Sequence, residues 1–351
     1  MPAEWHRHES TWLAWPKDPE TWPARVPLVQ AIFLRMIEVL TAHEQVDLLV
    51  DDEETEAHVR AACPWPQARN LRMHRIPTVD AWIRDYGPNF LLGLDGRLAV
   101  NHWGFNAWGD KYPPLSVDAR VPNVLVPLLG AERFTPGIIL EGGAIDVNGG
   151  RVVMTTEQCL LNENRNPHLD RTAIEARLRE FLGVEQVLWL GQGITGDDTD
   201  GHIDDVARFV SADTIICAKE DDPSDANYAP LADNLRRLEL ARDPAGRPYH
   251  VVTLPMPGAI TKGSGLPEDR LPASYANFYI ANGVVLLPVF GHATNDQRAT
   301  ETLQALFPDR QVVPIHCEPL VWGLGAIHCV TQQQPATGSA PVGSAYVARG
   351  L

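Results

Sequence analysis

Positive charge is scarce in this chain. Lys and Arg number 29 against 45 Asp and Glu, a formal net charge of −16 over 351 residues. Nucleic acid is a poor partner for such a balance, because neutralising phosphates needs a basic face. A small cationic ligand is compatible with it. Cysteine is sparse as well: Cys63, Cys159, Cys217, Cys317 and Cys329 are odd in number, widely spaced and form no C-x-x-C pair. That pattern argues against a disulfide framework or a zinc knuckle, and each thiol alone reads as a small buried hydrophobe. No stretch approaches the roughly 18 uncharged apolar residues of a spanning helix. The opening Met1-Pro-Ala-Glu-Trp-His-Arg-His-Glu9 has no basic segment followed by an apolar one. The expectation is therefore a cytoplasmic protein without a secretory signal, and no membrane as partner. Glycine-rich phosphate loops are missing too: no G-x-G-x-x-G follows a strand pattern. No low-complexity linker divides the chain.

What is present is a repeat. The apolar share of 44% supports a sizeable core. Four segments read as paired short strands around a tight turn: Phe90–Val100 around Asp95-Gly96, Ala144–Thr155 around Asn148-Gly149, Val206–Cys217 around Ser211 to Asp213, and Asn277–Leu287 around Asn282-Gly283. Asn-Gly and Asp-Gly favour the positive backbone angles of hairpin turns. Helical spacing follows three of them, over Pro167–Leu182, Asp225–Ala241 and Thr294–Phe307. A further amphipathic helix over Pro27–Ala42 runs into a strand at Val46–Val50. Turns near 95, 149, 212 and 282 recur every 54 to 70 residues, so 351 residues hold about five units. The spacing predicts radial or solenoid stacking of hairpin, helix and further strand, read as one domain over residues 1–351. So many hairpins exclude a purely parallel, doubly wound sheet.

Chemically versatile residues stand immediately before these hairpins. Trp82-Ile-Arg-Asp-Tyr-Gly-Pro88 precedes the first, Leu140-Glu-Gly-Gly143 the second, and Asp197-Asp-Thr-Asp-Gly-His-Ile-Asp-Asp205 the third. Gly323-Leu-Gly-Ala-Ile-His-Cys-Val-Thr-Gln-Gln-Gln-Pro335 ends an apolar run near the C-terminus. In a radial stack, equivalent positions converge on one axis. Asp85, Glu141, His202 with Asp204, and Cys329 are then expected in one pocket. Read as a strand, His202-Ile203-Asp204 presents imidazole and carboxylate on one face. The same alternation turns His328 away from Cys329, leaving His202 as the better base for that thiol. Gly323 and Gly325 permit close backbone approach beside it.

Taken singly, each feature has a plainer reading. A cysteine in an apolar run is usually core, and His-x-Asp is often a structural hydrogen bond. The acids Asp197, Asp198, Asp200, Asp204 and Asp205 could chelate a cation. The tryptophans read as core or pocket wall. The coincidence of these features with a repeated unit is what favours a site.

At these residues the chain resembles the agmatine deiminase family, grouped with the Porphyromonas-type peptidylarginine deiminases. The likeness runs through Pro2-Ala-Glu-Trp5, Thr11-Trp-Leu-Ala-Trp-Pro16, Trp82–Pro88, Trp103-Gly-Phe-Asn-Ala-Trp-Gly109, Glu141-Gly-Gly143, Thr156-Glu-Gln-Cys-Leu-Leu161, Asn164-Arg-Asn-Pro167, Thr199–Asp204 and Ile327–Pro335. The resemblance implies the pentein fold, a five-bladed pseudo-symmetric α/β propeller. It implies hydrolysis of agmatine to N-carbamoylputrescine and ammonia through an amidino-cysteine, with peptidyl-arginine or free arginine as the alternative substrate and a non-catalytic or metal-binding pentein as the remoter one. Carried over by motif, Cys329 is the nucleophile and His202 the general acid/base. Glu141 orients that His, and Asp85 and Asp204 hold the guanidinium. Trp82 and Asp198 line the pocket. No metal or organic cofactor is implied, and homo-oligomerisation is left open. The chain departs from the family pattern at Tyr86, where Thr is frequent, at Asp205, where Asn is frequent, and in a leaner glycine run before Cys329.

Overall fold

The computed structural model describes residues 1–263 and 269–338. Its strands fall into five small sheets. The first holds β1 (His8–Ala14), β2 (Gln45–Val50) and β3 (Leu71–Arg75), the second β4 (Asn89–Leu92), β5 (Leu98–Asn101) and β6 (Glu132–Phe134). The third holds β7 (Asp146–Val147), β8 (Val152–Thr156) and β9 (Gln186–Leu190), the fourth β10 (Ala207–Phe209), β11 (Thr214–Lys219) and β12 (His250–Pro255). The fifth holds β13 (Tyr279–Ala281), β14 (Val284–Val289) and β15 (Gln311–His316). In the second to fifth sheets an antiparallel hairpin comes first, and a third strand then joins parallel to its second member. A parallel return needs a crossover, and a helix supplies it each time: Val121–Leu129, Arg171–Leu182, Tyr228–Leu240 and Ala293–Leu306.

The local sequence accounts for these elements. Gly283 sits at φ +70 in its hairpin turn, where a side chain would be strained. Asn148 closes the second hairpin by accepting from the Gly150 and Val152 amides at 3.0 and 3.1 Å. Helix Arg171–Leu182 starts where Asp170 accepts from the Ala173 amide at 2.8 Å and stops at Gly183, φ +70. Helix Val26–Thr41 buries Val29, Phe33, Met36, Ile37 and Leu40, one stripe at helical spacing, against the apolar core.

The fifth hairpin is split between distant parts of the chain. β16 (Gln332–Pro335) pairs antiparallel with β1, and β2 then joins β1 parallel. The first sheet thus repeats the other four, with β3 added outside. Trp12 fastens the seam by donating from Nε1 to Oε1 of Gln334 at 2.9 Å. The architecture is the five-bladed α/β propeller that the family resemblance implies, and its five sheets match the five units counted from the repeat. Among the described residues no helix is long and apolar enough to cross a membrane.

Three local expectations need correction. Residues Ile203–Asp205 form a 3-10 turn, not a strand. The carboxylate of Asp197 accepts from the backbone amides of Thr199, Gly201 and His202 and bends the chain there. Residues His328 and Cys329 lie in a turn ahead of β16, so strand alternation does not govern them. A 3-10 segment, Pro113–Arg120, and helix Val121–Leu129 follow the first hairpin, where no helix was expected. Proline interrupts the usual spacing in both.

Candidate active site

Each hairpin begins near the propeller axis, so the residues just before it converge. Asp85, Glu141 and His202 precede β4, β7 and β10, and Cys329 precedes β16. The structure brings Asp85, Glu141, His202, Asp204 and Cys329 together, all buried. Nδ1 of His202 lies 3.8 Å from Oδ1 of Asp85, and Nε2 lies 3.9 Å from Oε2 of Glu141. Sγ of Cys329 lies 3.8 Å from Oδ2 of Asp204. Two glycines make this density possible. A Cβ on Gly143 would come within 2.6 Å of Nδ1 of His202 and 2.8 Å of Oδ1 of Asp85. One on Gly325 would meet Trp82 at 2.6 Å and Sγ of Cys329 at 3.2 Å.

The carboxylates are held from behind. Oδ1 of Asp85 accepts from the Gly143 amide and Oδ2 from Nε1 of Trp108, both at 2.9 Å. Trp108 reaches it from a backbone in the left-handed region: Ala107, Trp108 and Asp110 have φ of 52, 57 and 61. Such residues cost roughly 1–3 kcal/mol each and cluster where function needs them. Arg165 donates from Nε to Oε1 of Glu141 at 2.7 Å and from Nη1 to Asp200 at 2.8 Å. Nδ1 of His328 lies 2.7 Å from Oδ2 of Asp204. His328 is thus engaged away from the thiol.

Three buried polar atoms face this centre without a partner: Oε2 of Glu141, Nε2 of His202 and Oδ1 of Asp204. A buried orphan calls for an explanation, and three gathered around one centre are accounted for by a polar ligand. The electrostatics agree. Burial lowers the affinity of His202 for its proton, but the Asp85 charge and contacts with Cys159 and Glu141 outweigh that, and its pKa rises well above the ordinary value. Burial raises the pKa of Asp85, the Asp204 and Glu141 charges add to the rise, and His202 only partly opposes them, so it stands at about 6. Burial, with the Asp204, Asp205 and Asp85 charges, pushes the Cys329 thiol far up. An excess of negative charge around an un-ionised thiol is a site awaiting a cation.

A cleft of about 460 Å³ leads to it. Trp82, Asp85, Trp108, Asp198 and Cys329 are on its wall, whereas Glu141, His202 and Asp204 are fully buried behind it. Asp198 accepts from Tyr112 Oη at 2.5 Å, and burial raises its pKa to about 6. Lys111 and Lys262 also reach the cleft, Lys111 already paired with Asp200 at 2.7 Å. The acidic run does not gather: Asp197 serves backbone amides, Asp200 serves Arg165, and Asp205 accepts from Asn277. Glu141, Cys159 and His202 form the group of donors, within 4.8 Å of one another among the described residues, that a cation could use.

Sequence reasoning passed over Asn277. It stands just before β13, the same place in the fourth hairpin that the others take in theirs. Its Nδ2 donates to Sγ of Cys329 at 3.2 Å and to Oδ1 of Asp205 at 3.0 Å. The rule that found the other four also points to it. Arg165 was visible only as part of a motif, because its partner Glu141 lies 24 residues away.

A model of Porphyromonas-type peptidyl-arginine deiminases matches residues 1–335. The chain belongs to this family. Within it, a Pseudomonas fluorescens agmatine deiminase is 39% identical over 355 aligned positions, covering 96% of this chain and 95% of the relative. A solved agmatine deiminase of Enterococcus faecalis is 32% identical, covers 95% of each chain and superposes with a TM-score of 0.89. A C. jejuni agmatine deiminase, solved as a cysteine-to-serine variant with substrate bound, is 30% identical, covers 96% of each chain and has a TM-score of 0.86. Outside the deiminases, an amidinotransferase from Microseira wollei, 11% identical with a TM-score of 0.55, shares the fold alone.

Proposed function

We propose that the protein is an agmatine deiminase, a hydrolase built as one catalytic domain, which converts agmatine and water to N-carbamoylputrescine and ammonia. Full-length likeness to agmatine deiminases supports the activity. The observation that carries the chemistry is the cluster of Cys329, His202, Glu141, Asp85 and Asp204 around unpartnered polar atoms at the foot of an acidic cleft.

A guanidinium is planar and spreads its charge, so two carboxylates can each take a fork of its N–H donors and fix its plane. Asp85 takes one side of the guanidinium, and Asp204 accepts on the other through its one free oxygen, Oδ1. The bound cation offsets the negative charge that keeps the Cys329 thiol protonated, and the thiol loses its proton to solvent. The sulfur electron pair then forms a bond to the central carbon. His202, protonated in the free site, gives its proton to one amino nitrogen as the C–N bond breaks and ammonia leaves. The amidino group remains on sulfur. His202, now neutral, takes a proton from water, whose oxygen bonds to the same carbon. The C–S bond breaks, its electrons return to sulfur, and the ureido product leaves as the surplus proton goes to solvent. Glu141, held by Arg165, keeps the imidazole oriented.

The long tail of the substrate extends up the cleft past Trp82 and Asp198. Asp18, Glu20 and Asp198 on that wall suit a distal ammonium. Lys262 on the same wall favours a carboxylate-bearing substrate such as free arginine, the alternative reading. Ammonia release from agmatine, arginine and a blocked arginine peptide, with mass spectrometry of the quenched enzyme, separates these cases. Agmatine turnover with an adduct on Cys329 is the expected outcome. Full turnover by Cys329→Ala would sink the mechanism, and loss of activity on chelator treatment would replace it with a cation-dependent one.

A further inference from the structure

Behind the site lies a second layer of buried charge that the reaction steps leave unused. Glu4 comes from the segment ahead of β1 and is buried. Its Oε1 accepts from Nη2 of Arg208 at 2.9 Å and from the Ile280 amide at 2.8 Å. Its Oε2 lies 3.3 Å from Nη2 of Arg84 and 2.8 Å from Nε2 of His328. The other nitrogen of that ring, Nδ1, reaches Oδ2 of Asp204 at 2.7 Å. One imidazole therefore bridges two carboxylates, and two protons are needed to fill both contacts. Arg84 braces the same turn, donating from Nε to the His328 carbonyl at 3.3 Å and from its amide to the Cys329 carbonyl at 3.3 Å.

We propose that Glu4 and His328 are positioning residues for Asp204: the Glu4–His328–Asp204 bridge holds Oδ2 so that Oδ1 is presented to the substrate guanidinium. The inference rests on the guanidinium reading of the site and adds residues to it. Glu4 is 324 positions from His328 in sequence, and each of its oxygens has two donors, so it is specified as an anchor rather than a loose counter-charge. Oδ2 of Asp204 is occupied, and its Oδ1 is the unpartnered atom. Rotation of Asp204 would exchange the two. The bridge prevents that exchange, and a carboxylate so fixed binds a planar cation with less ordering to do.

The test uses the side-chain geometry of His328. In His328→Asn the amide stands where Nδ1 was and can still donate to Asp204, while Glu4 loses its contact. In His328→Gln the amide stands where Nε2 was, keeping Glu4 and releasing Asp204. Agmatine binding is read by calorimetry in a Cys329→Ala background, and KM and kcat are read in the catalytically intact chain. His328→Gln should weaken agmatine binding and raise KM roughly tenfold, with kcat changed less than threefold. His328→Asn, which keeps the Asp204 contact but loses the Glu4 anchor, should raise KM by an intermediate amount, about threefold, with kcat little changed. Glu4→Gln should raise KM in the parent but not in the His328→Asn background, since the coupling runs through the ring. Equal binding by the Asn and Gln variants, or the reverse order, overturns the proposal. So does an additive Glu4→Gln effect. If Glu4→Gln does not fold, the Asn-against-Gln comparison decides alone. Failure of the wild-type chain to release ammonia while it still binds agmatine would sink the catalytic reading and leave this inference to be judged on the binding data.

Discussion

Asn277 donates to the carboxyl of Asp205 at 3.0 Å, and Asp205 is pushed well above the usual carboxylate range by burial and by the charges of Asp204 and Asp197. The protonated form that this shift favours has the shape and hydrogen-bonding pattern of an amide: one oxygen accepts and the other atom donates. An Asn at position 205 would keep the contact with Asn277. Asp205→Asn should keep kcat/KM within about threefold, and it should stabilise the fold slightly at alkaline pH by removing a group that ionises at a cost. Steady-state kinetics and thermal melts at several pH values check both. A loss above a hundredfold would mean that the ionised carboxylate is used.

The same Asn277 holds Sγ of Cys329 at 3.2 Å with its second amide proton. A thiolate gains more from that contact than a thiol does, because the bond becomes charge-assisted. Asn277→Ala should lower kcat by about ten- to a hundredfold and raise the thiol pKa further. Alkylation of Cys329 followed against pH reports the second effect directly. An unchanged alkylation profile would assign Asn277 to packing of the turn before β16.

Much of this arrangement was legible in the chain. The four hairpin turns, the helices after three of them and the count of five units all stand where spacing placed them. The fifth hairpin was invisible as a hairpin, because His8–Ala14 and Gln332–Pro335 are joined by the fold and not by a turn. Convergence of the pre-hairpin residues was also readable on the radial alternative, because equivalent positions of a closed ring of repeats share one axis. The layer behind them was not. Arg165 and Trp108 are assigned by contact with Glu141 and Asp85 across 24 and 23 positions, and no periodicity records such a pairing. The strand reading of His202–Asp204 failed for a related reason: the Asp197 carboxylate, five residues back, captures the His202 amide at 3.0 Å and turns the chain. His202 and Asp204 meet the site nonetheless, because the turn and a strand both deliver the residues ahead of β10 to the axis.

Acid should weaken substrate capture before it harms the fold. Asp85 has a pKa of about 6 in the free site, raised first by burial and then by neighbouring carboxylates. Only its ionised form pairs with a guanidinium. Above about pH 6 the carboxylate is present and kcat/KM is on its plateau; below it the fraction ionised falls tenfold per unit, and KM for agmatine climbs in step. Substrate binding opposes protonation, so the acid limb of kcat should lie at lower pH than that of kcat/KM. Rate profiles between pH 4.5 and 8, roughly, with agmatine well below and well above KM, test this. Coincident limbs would take Asp85 out of ground-state binding.

Trp108 offers the sharpest test of how that pKa is set. Its Nε1 donates to Oδ2 of Asp85 at 2.9 Å, and this bond is one of the few influences that favour the ionised form. The ring also packs edge-on against Phe105 and Tyr112, at centroid distances of 5.2 and 6.0 Å. Trp108→Phe keeps most of the packing and deletes the donor. Asp85 then holds its proton more tightly, so the acid limb of kcat/KM should move to higher pH. At neutral pH, KM should rise about ten- to a hundredfold, the worth of one hydrogen bond to a charged group. At pH values well above the limb the difference should shrink, because Asp85 is ionised in both proteins and only the lost orientation remains. A uniform rise in KM at every pH would show that the indole shapes the wall and leaves the carboxylate's protonation untouched. The strained backbone at Ala107 and Trp108 gives the result wider meaning. A conformation that costs energy and delivers one N–H to one carboxylate is expected only where that bond is used in substrate capture.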